Sequence, residues 1–311
     1  MVQPKCVCCG AQNVSLIGAI PSAIRFAGRL LSTPLAGGNL LRCHVCGLTF
    51  RYPRLDKAEL DALYRQGSDA HWKASPEDRV DWHIADQWFS RYVPRDGTVL
   101  DVGCWDGGFL RSIGSGRSRF GIEIHQSARE KAQEAGVQVI GTDFSILPQT
   151  NTFFDAVTSF DVIEHTHDPA AFLSALAAVT QDNGVVIISS GNSEAFGWKL
   201  LGARYWYCAL AEHLSFIGPR WCEWVAPRLG LELQQIVKFS HGRGNWRQRL
   251  GQLVTNAFYA ASPNGFSLLR AWGLGGSEYR RHKELLQYPP NWMSAKDHFI
   301  CLFVKRCTTT A

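Results

Sequence analysis

No stretch of the chain approaches the ~20 uncharged apolar residues that a membrane span requires. The first ten residues, M-V-Q-P-K-C-V-C-C-G, lack the apolar core of an export signal, so a cytoplasmic location is expected. Charge of one sign is not abundant either: 32 basic against 27 acidic residues leave a formal +5 over 311 positions. Basic residues are not interleaved with a platform of stacking aromatics, and nucleic acid is therefore not expected as a partner. Cysteine is present ten times without the even distribution of a disulfide scaffold, because four fall in two C-x-x-C pairs and the rest are scattered.

Those pairs are C-V-C-C-G at 6–10 and C-H-V-C-G at 43–47. In a C-x-x-C-G knuckle two thiolates converge on one metal while the glycine lets the backbone turn beneath the sulfurs. Cys6, Cys9, Cys43 and Cys46 thus form the expected ligand set of a tetrahedral structural Zn²⁺, with Cys8 left over. The interval of 33 residues between the pairs is long for a compact ribbon. A zinc-ribbon domain over 1–55 is expected, followed by a larger domain over 56–311.

The stretch V-L-D-V-G-C-W-D-G-G-F-L at 99–110 reads as strand, glycine-bearing turn and helix start, the entry of a nucleotide-binding α/β unit. A dinucleotide loop offers backbone N–H groups to a pyrophosphate, but Asp101 and Asp106 flank this turn and would repel one. They suit a cation. Glu123 follows the next apolar run at about the ~20-residue distance expected of a carboxylate that grips ribose hydroxyls. Asp143 follows the run 137–140, where an acid can meet an adenine amino group. A nucleoside bearing an ammonium and a sulfonium, S-adenosylmethionine, fits these charges.

Residues 86–240 resemble a class I S-adenosylmethionine-dependent methyltransferase of the group that includes the ubiquinone-type and glycan O-methyltransferases. The matching pieces are the loop at 99–110, the acid of G-I-E-I-H, G-T-D-F-S-I-L-P, and F-D-A-V-T-S-F-D-V-I-E-H-T-H-D-P. Trp105 stands where the family loop usually carries glycine or another small residue. The resemblance implies a cofactor site from Asp101, Gly103, Cys104, Trp105, Gly107, Glu123, Ile124, Asp143, Phe144 and Phe160. It also implies a Rossmann-like α/β fold with a seven-stranded sheet. Strands are expected near 98–102, 119–124, 137–141, 154–160, 184–190, 231–239 and 298–305, with helices near 83–93, 107–114, 126–135, 169–181 and 219–229. The last strand would insert antiparallel beside 231–239, making 241–296 an insertion.

Ionisable groups are densest at 160–169, F-D-V-I-E-H-T-H-D-P, beyond a strand's carboxyl end where open α/β sheets place their sites. An alcohol acceptor has to lose a proton, and His165 is the expected base, with His213 second. A divalent ion such as Mg²⁺ held by Asp161, Glu164 and His165 is the alternative, since ubiquinone-type relatives show a similar run. Asp168-Pro169 reads as helix cap and first turn.

Trp198, Tyr205, Trp206 and Tyr207 lie in a segment too long for a simple loop and would form an aromatic wall for a sugar face or an aromatic ring. After the second knuckle, Leu60, Leu63 and Tyr64 share a helix face behind Pro53, a layout similar to bacterial methyltransferases that act on sugars. Residues 66–82, with His71, Trp72 and Trp82, form either a lid or a surface linker. The first expectation is O-methylation of a sugar hydroxyl in a cell-surface glycan or its precursor; a quinone or natural-product phenol is the alternative. A nucleic-acid-binding ribbon protein with a degenerate methyltransferase fold is the rival from another class, opposed by the three acids.

Eight Lys or Arg (238, 243, 247, 249, 270, 280, 281, 283) stand against the single acid Glu278 between 238 and 283. The region would face an anionic partner such as a membrane surface, or simply be a solvated face. Within it Trp246, Leu250, Leu253, Val254, Ala257 and Phe258 have helical spacing, and Phe266, Leu268, Leu269, Trp272 and Leu274 form a second cluster. Core packing is the ordinary destination of such stripes.

Overall fold

The computed structural model describes residues 4–65, 79–242, 244–273, 283–292 and 294–307. The N-terminal segment folds as β1 (Val14–Ala19), β2 (Ala23–Phe26), β3 (Arg29–Leu35), β4 (Asn39–Cys43) and β5 (Thr49–Tyr52). β1, β4 and β5 form a small antiparallel sheet, while β2 and β3 make a separate hairpin turned at Ala27-Gly28, both with positive φ. That hairpin accounts for the long interval between the two cysteine pairs.

The larger part contains α1 (Lys57–Arg65), α2 (Val80–Tyr92), β6 (Thr98–Val102), α3 (Gly108–Ser112), β7 (Ser118–Ile122), α4 (Gln126–Glu134), β8 (Gln138–Gly141) and β9 (Phe154–Phe160). Then follow α5 (Pro169–Ala178), β10 (Thr180–Gly191), α6 (Phe196–Leu201), β11 (Ser215–Phe216), α7 (Pro219–Val225), β12 (Leu231–Phe239), α8 (Trp246–Ala261), α9 (Pro263–Ala271) and β13 (His298–Lys305). Seven strands form one sheet in the order β12-β13-β10-β9-β6-β7-β8. Six run in the same direction, and β13 alone of the seven runs antiparallel, between β10 and β12. This is the seven-stranded sheet, antiparallel in its last strand, that the resemblance implies. β6, β9 and, from Gly184 on, β10 are almost wholly buried, as apolar runs covered by helices on both faces must be.

Local chemistry sets several boundaries. Asp168 Oδ1 accepts from the amides of Ala170 and Ala171 at 2.9 and 3.0 Å, and Pro169 opens α5 as its first residue. Pro227 turns the end of α7 into a 3₁₀ turn over Ala226–Leu229, short of the expected continuous helix. β7 stops at Ile122, which leaves Glu123 and Ile124 beyond the strand.

The two sheets share one core. Cys6, Leu41, Cys43, Cys46, Leu48 and Phe50 pack in the same buried cluster as Ile163, Phe172 and Trp221. β11 pairs with β5, Ser215 opposite Phe50, and so joins the small sheet to the large part. Arg51 is buried and donates to the carbonyls of Gly37, Cys208, Leu210 and His213, which ties β5 to the segment behind the site described below. No helix among the described residues is long and apolar enough to cross a membrane.

The four knuckle cysteines converge. Cys6 Sγ lies 3.6 Å from Cys46 Sγ, and Cys9 Sγ 3.6 Å from Cys43 Sγ. Four thiolates at ~2.3 Å around a tetrahedral zinc stand roughly 3.8 Å apart, so the spacing fits that ion. Cys8 is outside the group and accepts from Trp221 Nε1 at 3.4 Å.

Candidate active site

Strand order reverses between β6 and β9, and a cavity of about 730 Å³ opens at the carboxyl ends of the parallel strands there. It falls within the range of roughly 300–1,000 Å³ usual for cofactor and ligand sites. Asp101, Gly103, Cys104, Trp105, Glu123, Ile124, Asp143, Phe144 and Phe160 all line it. Gly107 does not; it has φ 76°, caps α3, and a Cβ there would come within 2.9 Å of Val137. Asp106 also turns away from the cavity, its Oδ1 accepting from Gly108 N at 3.0 Å at the start of α3.

The loop is shaped for a close ligand. Gly103 has φ 82°, and a Cβ there would lie 2.4 Å from Val162. Trp105 adopts φ 48° despite its side chain, and its amide donates to Glu123 Oε2 at 2.9 Å. The other oxygen of Glu123 accepts from His125 N at 2.8 Å, so one carboxylate fastens both loops. Burial raises its pKa above the usual carboxylate value. Asp101 is 2% exposed, and burial pushes its pKa up to about 7, against the hydrogen bond it accepts from Thr158 Oγ1 at 2.7 Å. Asp143 Oδ1 caps the next turn through Ser145 N at 2.8 Å. Of the two cations on this wall, Lys57 and Arg79, Arg79 is paired with Asp161 at 2.8 Å and with Asp81. A buried acid, a loop-fastening acid and a Gly103 cradle suit a cationic nucleoside and oppose a pyrophosphate.

His165 lines the same cavity, and Tyr64 Oη lies 2.9 Å from its Nδ1. Burial lowers its pKa below 6.5, which leaves the imidazole neutral at physiological pH. His213 stacks edge-on behind it at 4.8 Å and does not line the cavity; its Nδ1 lies 3.2 Å from Tyr207 O, and burial drives its pKa far down.

The run Asp161-Glu164-His165 does not converge on one point. Asp161 has φ 55° and a 3₁₀ turn follows over Ile163–His165, so the side chains part. Asp161 groups with His241 and His298, whereas Glu164 groups with His165 and His213. Although burial pushes it the other way, Arg79 holds Asp161 down to about 2. Glu164 is fully buried behind the wall, accepting from Tyr207 Oη and from Ser190 Oγ at 3.0 Å, and burial raises it to about 7. The geometry thus corrects the expectation of a single Mg²⁺ site on Asp161, Glu164 and His165.

The expected aromatic wall also dissolves. Trp198, Tyr205 and Tyr207 pack in a core beside Leu40 and Phe216, and Trp206 alone of the four reaches the cavity. Trp82 lines the cavity with Phe160 and stacks near Phe109, while His71 and Trp72 lie outside the described residues. Arg79, His241 and His298 are wall residues that sequence reasoning did not single out, and Tyr64, read only as part of a helix face, joins them there. For the two histidines the pairing of β12 with β13 was the available signal, since it sets Phe239 opposite His298 and brings His241 to the same sheet end.

A family model described as a methyltransferase domain matches residues 82–236. A ubiquinone biosynthesis O-methyltransferase from Xanthomonas axonopodis pv. citri is 27% identical over 238 residues, covering 71% of this chain and 98% of its own. That of Xylella fastidiosa is 30% identical over 179 residues, covering 52% of this chain and 71% of its own. Among solved structures, a chain of the complex between the Haloferax volcanii Trm112 methyltransferase activator and a methyltransferase superposes with TM-score 0.51 at 18% identity, covering 80% of this chain and 98% of that one.

Proposed function

Because the chain belongs to the class I S-adenosylmethionine-dependent methyltransferases, we propose that it methylates a hydroxyl oxygen on a ring-bearing, largely apolar acceptor of the phenol or hydroquinone kind. The observation that carries this reading is His165, kept neutral by burial, on the wall of the cavity that Asp101, Glu123 and Asp143 also line. The names of the relatives support an oxygen acceptor and a quinone-type ring. Trp82, Phe144, Phe160, Val162 and Trp206 give the cavity the apolar walls such a ring prefers. A sugar acceptor has less behind it, since three of the four aromatic side chains invoked for stacking are packed in the core.

S-adenosylmethionine, when bound, supplies a methyl carbon already activated by a positive sulfur. The chain's task is then to hold the acceptor oxygen in line and remove its proton. Glu123 would grip the ribose, Asp143 and Ile124 the adenine, and Asp101 would answer the ammonium. His165 takes the hydroxyl proton, its ring held by Tyr64 Oη at Nδ1 and by the backbone carbonyls of Glu212 and Asp161. Glu164 and His213 hold the ring from behind. Cys6, Cys9, Cys43 and Cys46 would hold zinc in a structural role, since four thiolates leave no open position for substrate.

Transfer of labelled methyl to simple phenols, hydroquinones and hexoses tests the proposal. His165→Ala should keep cofactor affinity and lower turnover by roughly 10²–10⁴-fold, the range for a lost general base. The wild-type rate should fall on an acidic limb below pH 6.5 and survive chelators. Loss of activity on chelation with rescue by Mg²⁺, or unaltered turnover in His165→Ala, would overturn the mechanism; methylation of hexoses alone would overturn the acceptor.

A further inference from the structure

The apolar stripe of α8 faces outward. Trp246 is 69% exposed and Val254 59%, and Leu250, Leu253 and Phe258 are exposed along the same face. Their spacing of 4, 3, 1 and 4 residues is one side of a helix. The inward side is the polar one. Asn256 is fully buried and donates to Gln252 O at 2.9 Å, Gln252 Oε1 accepts from Ser294 Oγ at 2.6 Å, and Tyr259 Oη donates to Gln287 O at 3.3 Å. A surface helix normally buries its apolar side, so this one is reversed. α9 extends the surface with exposed Leu268, followed by Trp272 at 81% exposure. α6 packs beside α8 and adds Phe196 and Leu200.

Charge selects the occupant. From Ser240 to Gly273 the sequence contains no Asp or Glu, and the exposed charges of α8 are Arg247 and Arg249. A second copy docking isologously would bring these arginines against their own equivalents with no acid on either helix to answer them. An anionic bilayer answers them without a partner side chain. Tryptophans near both ends of the patch, an apolar stripe between them and cations without acids match what interfacial helices present to lipid.

We propose that α8 and α9 seat the protein on the surface of an anionic membrane, with Trp246, Leu250, Val254 and Trp272 dipping into the headgroup boundary. The same insertion carries His241 on the cavity wall just before α8. Seating therefore brings the mouth of the site near the lipid, where apolar ring-bearing molecules concentrate. This extension rests on the reading of the acceptor, but the docking itself does not.

Co-sedimentation of the full chain with vesicles of phosphatidylcholine alone, or with 30% phosphatidylglycerol as a chosen probe composition, tests the docking without turnover. Binding to the anionic vesicles should exceed binding to the neutral ones by about twenty-five-fold, since two arginines near a charged surface are each worth about a factor of five. Leu250→Glu with Val254→Glu should reduce binding at least tenfold while leaving melting temperature unchanged, because both positions are exposed. Arg247→Glu with Arg249→Glu should abolish the anionic preference. Failure to sediment with either vesicle, or variants that bind as well as wild type, would overturn the proposal. So would a dimer in ultracentrifugation that the Leu250/Val254 variant makes monomeric, which would assign the face to a second copy.

Discussion

Replacing Glu123 probes the cofactor assignment at the point where structure and ligand meet. Its carboxylate accepts from Trp105 N at 2.9 Å and from His125 N at 2.8 Å. In Glu123→Ala both amides lose their partner inside a buried site, and the charge-assisted bonds proposed for the ribose are lost as well. Hydrogen bonds to a charged group contribute about 1.5–3 kcal/mol each, so S-adenosylhomocysteine should bind roughly 10- to 150-fold more weakly. Glu123→Gln sharpens the test. The amide has one acceptor oxygen and must turn an NH₂ toward one of the two backbone donors. Trp105, in a left-handed conformation that costs of order 1 kcal/mol without glycine, then has less to hold it. The glutamine variant should therefore lose affinity almost as alanine does, although it is nearly the same size. Calorimetry at pH 8, with melting temperatures alongside to exclude unfolded protein, measures both. Unaltered affinity in either variant, or measurable binding of NAD to wild type, would refute the assignment of this loop.

Three further outcomes are expected. The purified protein should contain about one equivalent of zinc, and Cys43→Ser should lower the melting temperature while leaving the cofactor affinity of the folded fraction little changed; zinc-free protein that melts normally would end that reading. Asp101 has a pKa raised from 3.8 to about 7 on folding, so the native state binds the extra proton between those values and this group's contribution makes stability fall as pH rises through them. A ligand ammonium favours the ionised form, so the thermal shift produced by S-adenosylhomocysteine should grow between pH 5.5 and 8 and flatten in Asp101→Asn; an equal pH dependence in that variant would remove Asp101 from the ammonium site. Tyr64→Phe should lower turnover about tenfold, the order of one lost hydrogen bond, without altering cofactor binding, and an unchanged rate would mean that Tyr64 does not set the His165 tautomer.

Much of the architecture is legible in the chain because its strands are short apolar runs closed by acids and glycines. Asp101, Glu123 and Asp143 are visible for the same reason: a carboxylate at the end of an apolar run has few structural uses. Position in a run does not reveal direction, however. The stripe from Trp246 to Phe258 announces a helix with an apolar side, yet periodicity is blind to whether that side meets core or solvent. Asn256 and Tyr259 decide it by bonding inward. Asp161, Glu164 and His165 likewise look like one ligand set until the positive φ at Asp161 separates them. Trp198, Tyr205 and Tyr207 are aromatic enough to stack on a ligand and large enough to fill a core, and only the tertiary fold chooses.

The N-terminal segment reaches the chemistry through packing as well as through its cysteines. Phe26, at the end of the β2 strand of the hairpin lodged between the two knuckles, meets the Tyr64 ring edge-on at 4.9 Å. Ala23, Phe26 and Ala27 form one buried cluster with Leu60 of α1 and with Ala211 and Leu214, which flank His213. Tyr64 in turn holds His165. The proposed base, which must keep one tautomer, needs its partner fixed, and α1 is too short to fix it alone: a nine-residue helix is marginal in water without tertiary packing. The hairpin supplies that packing, and β5 anchors the hairpin's surroundings through the buried guanidinium of Arg51. The accessory layer is thus joined to His165 by side chains in contact, Phe26 to Tyr64 to His165. The four-cysteine cluster, with Cys43 closing β4, belongs to the small sheet whose β5 carries Arg51.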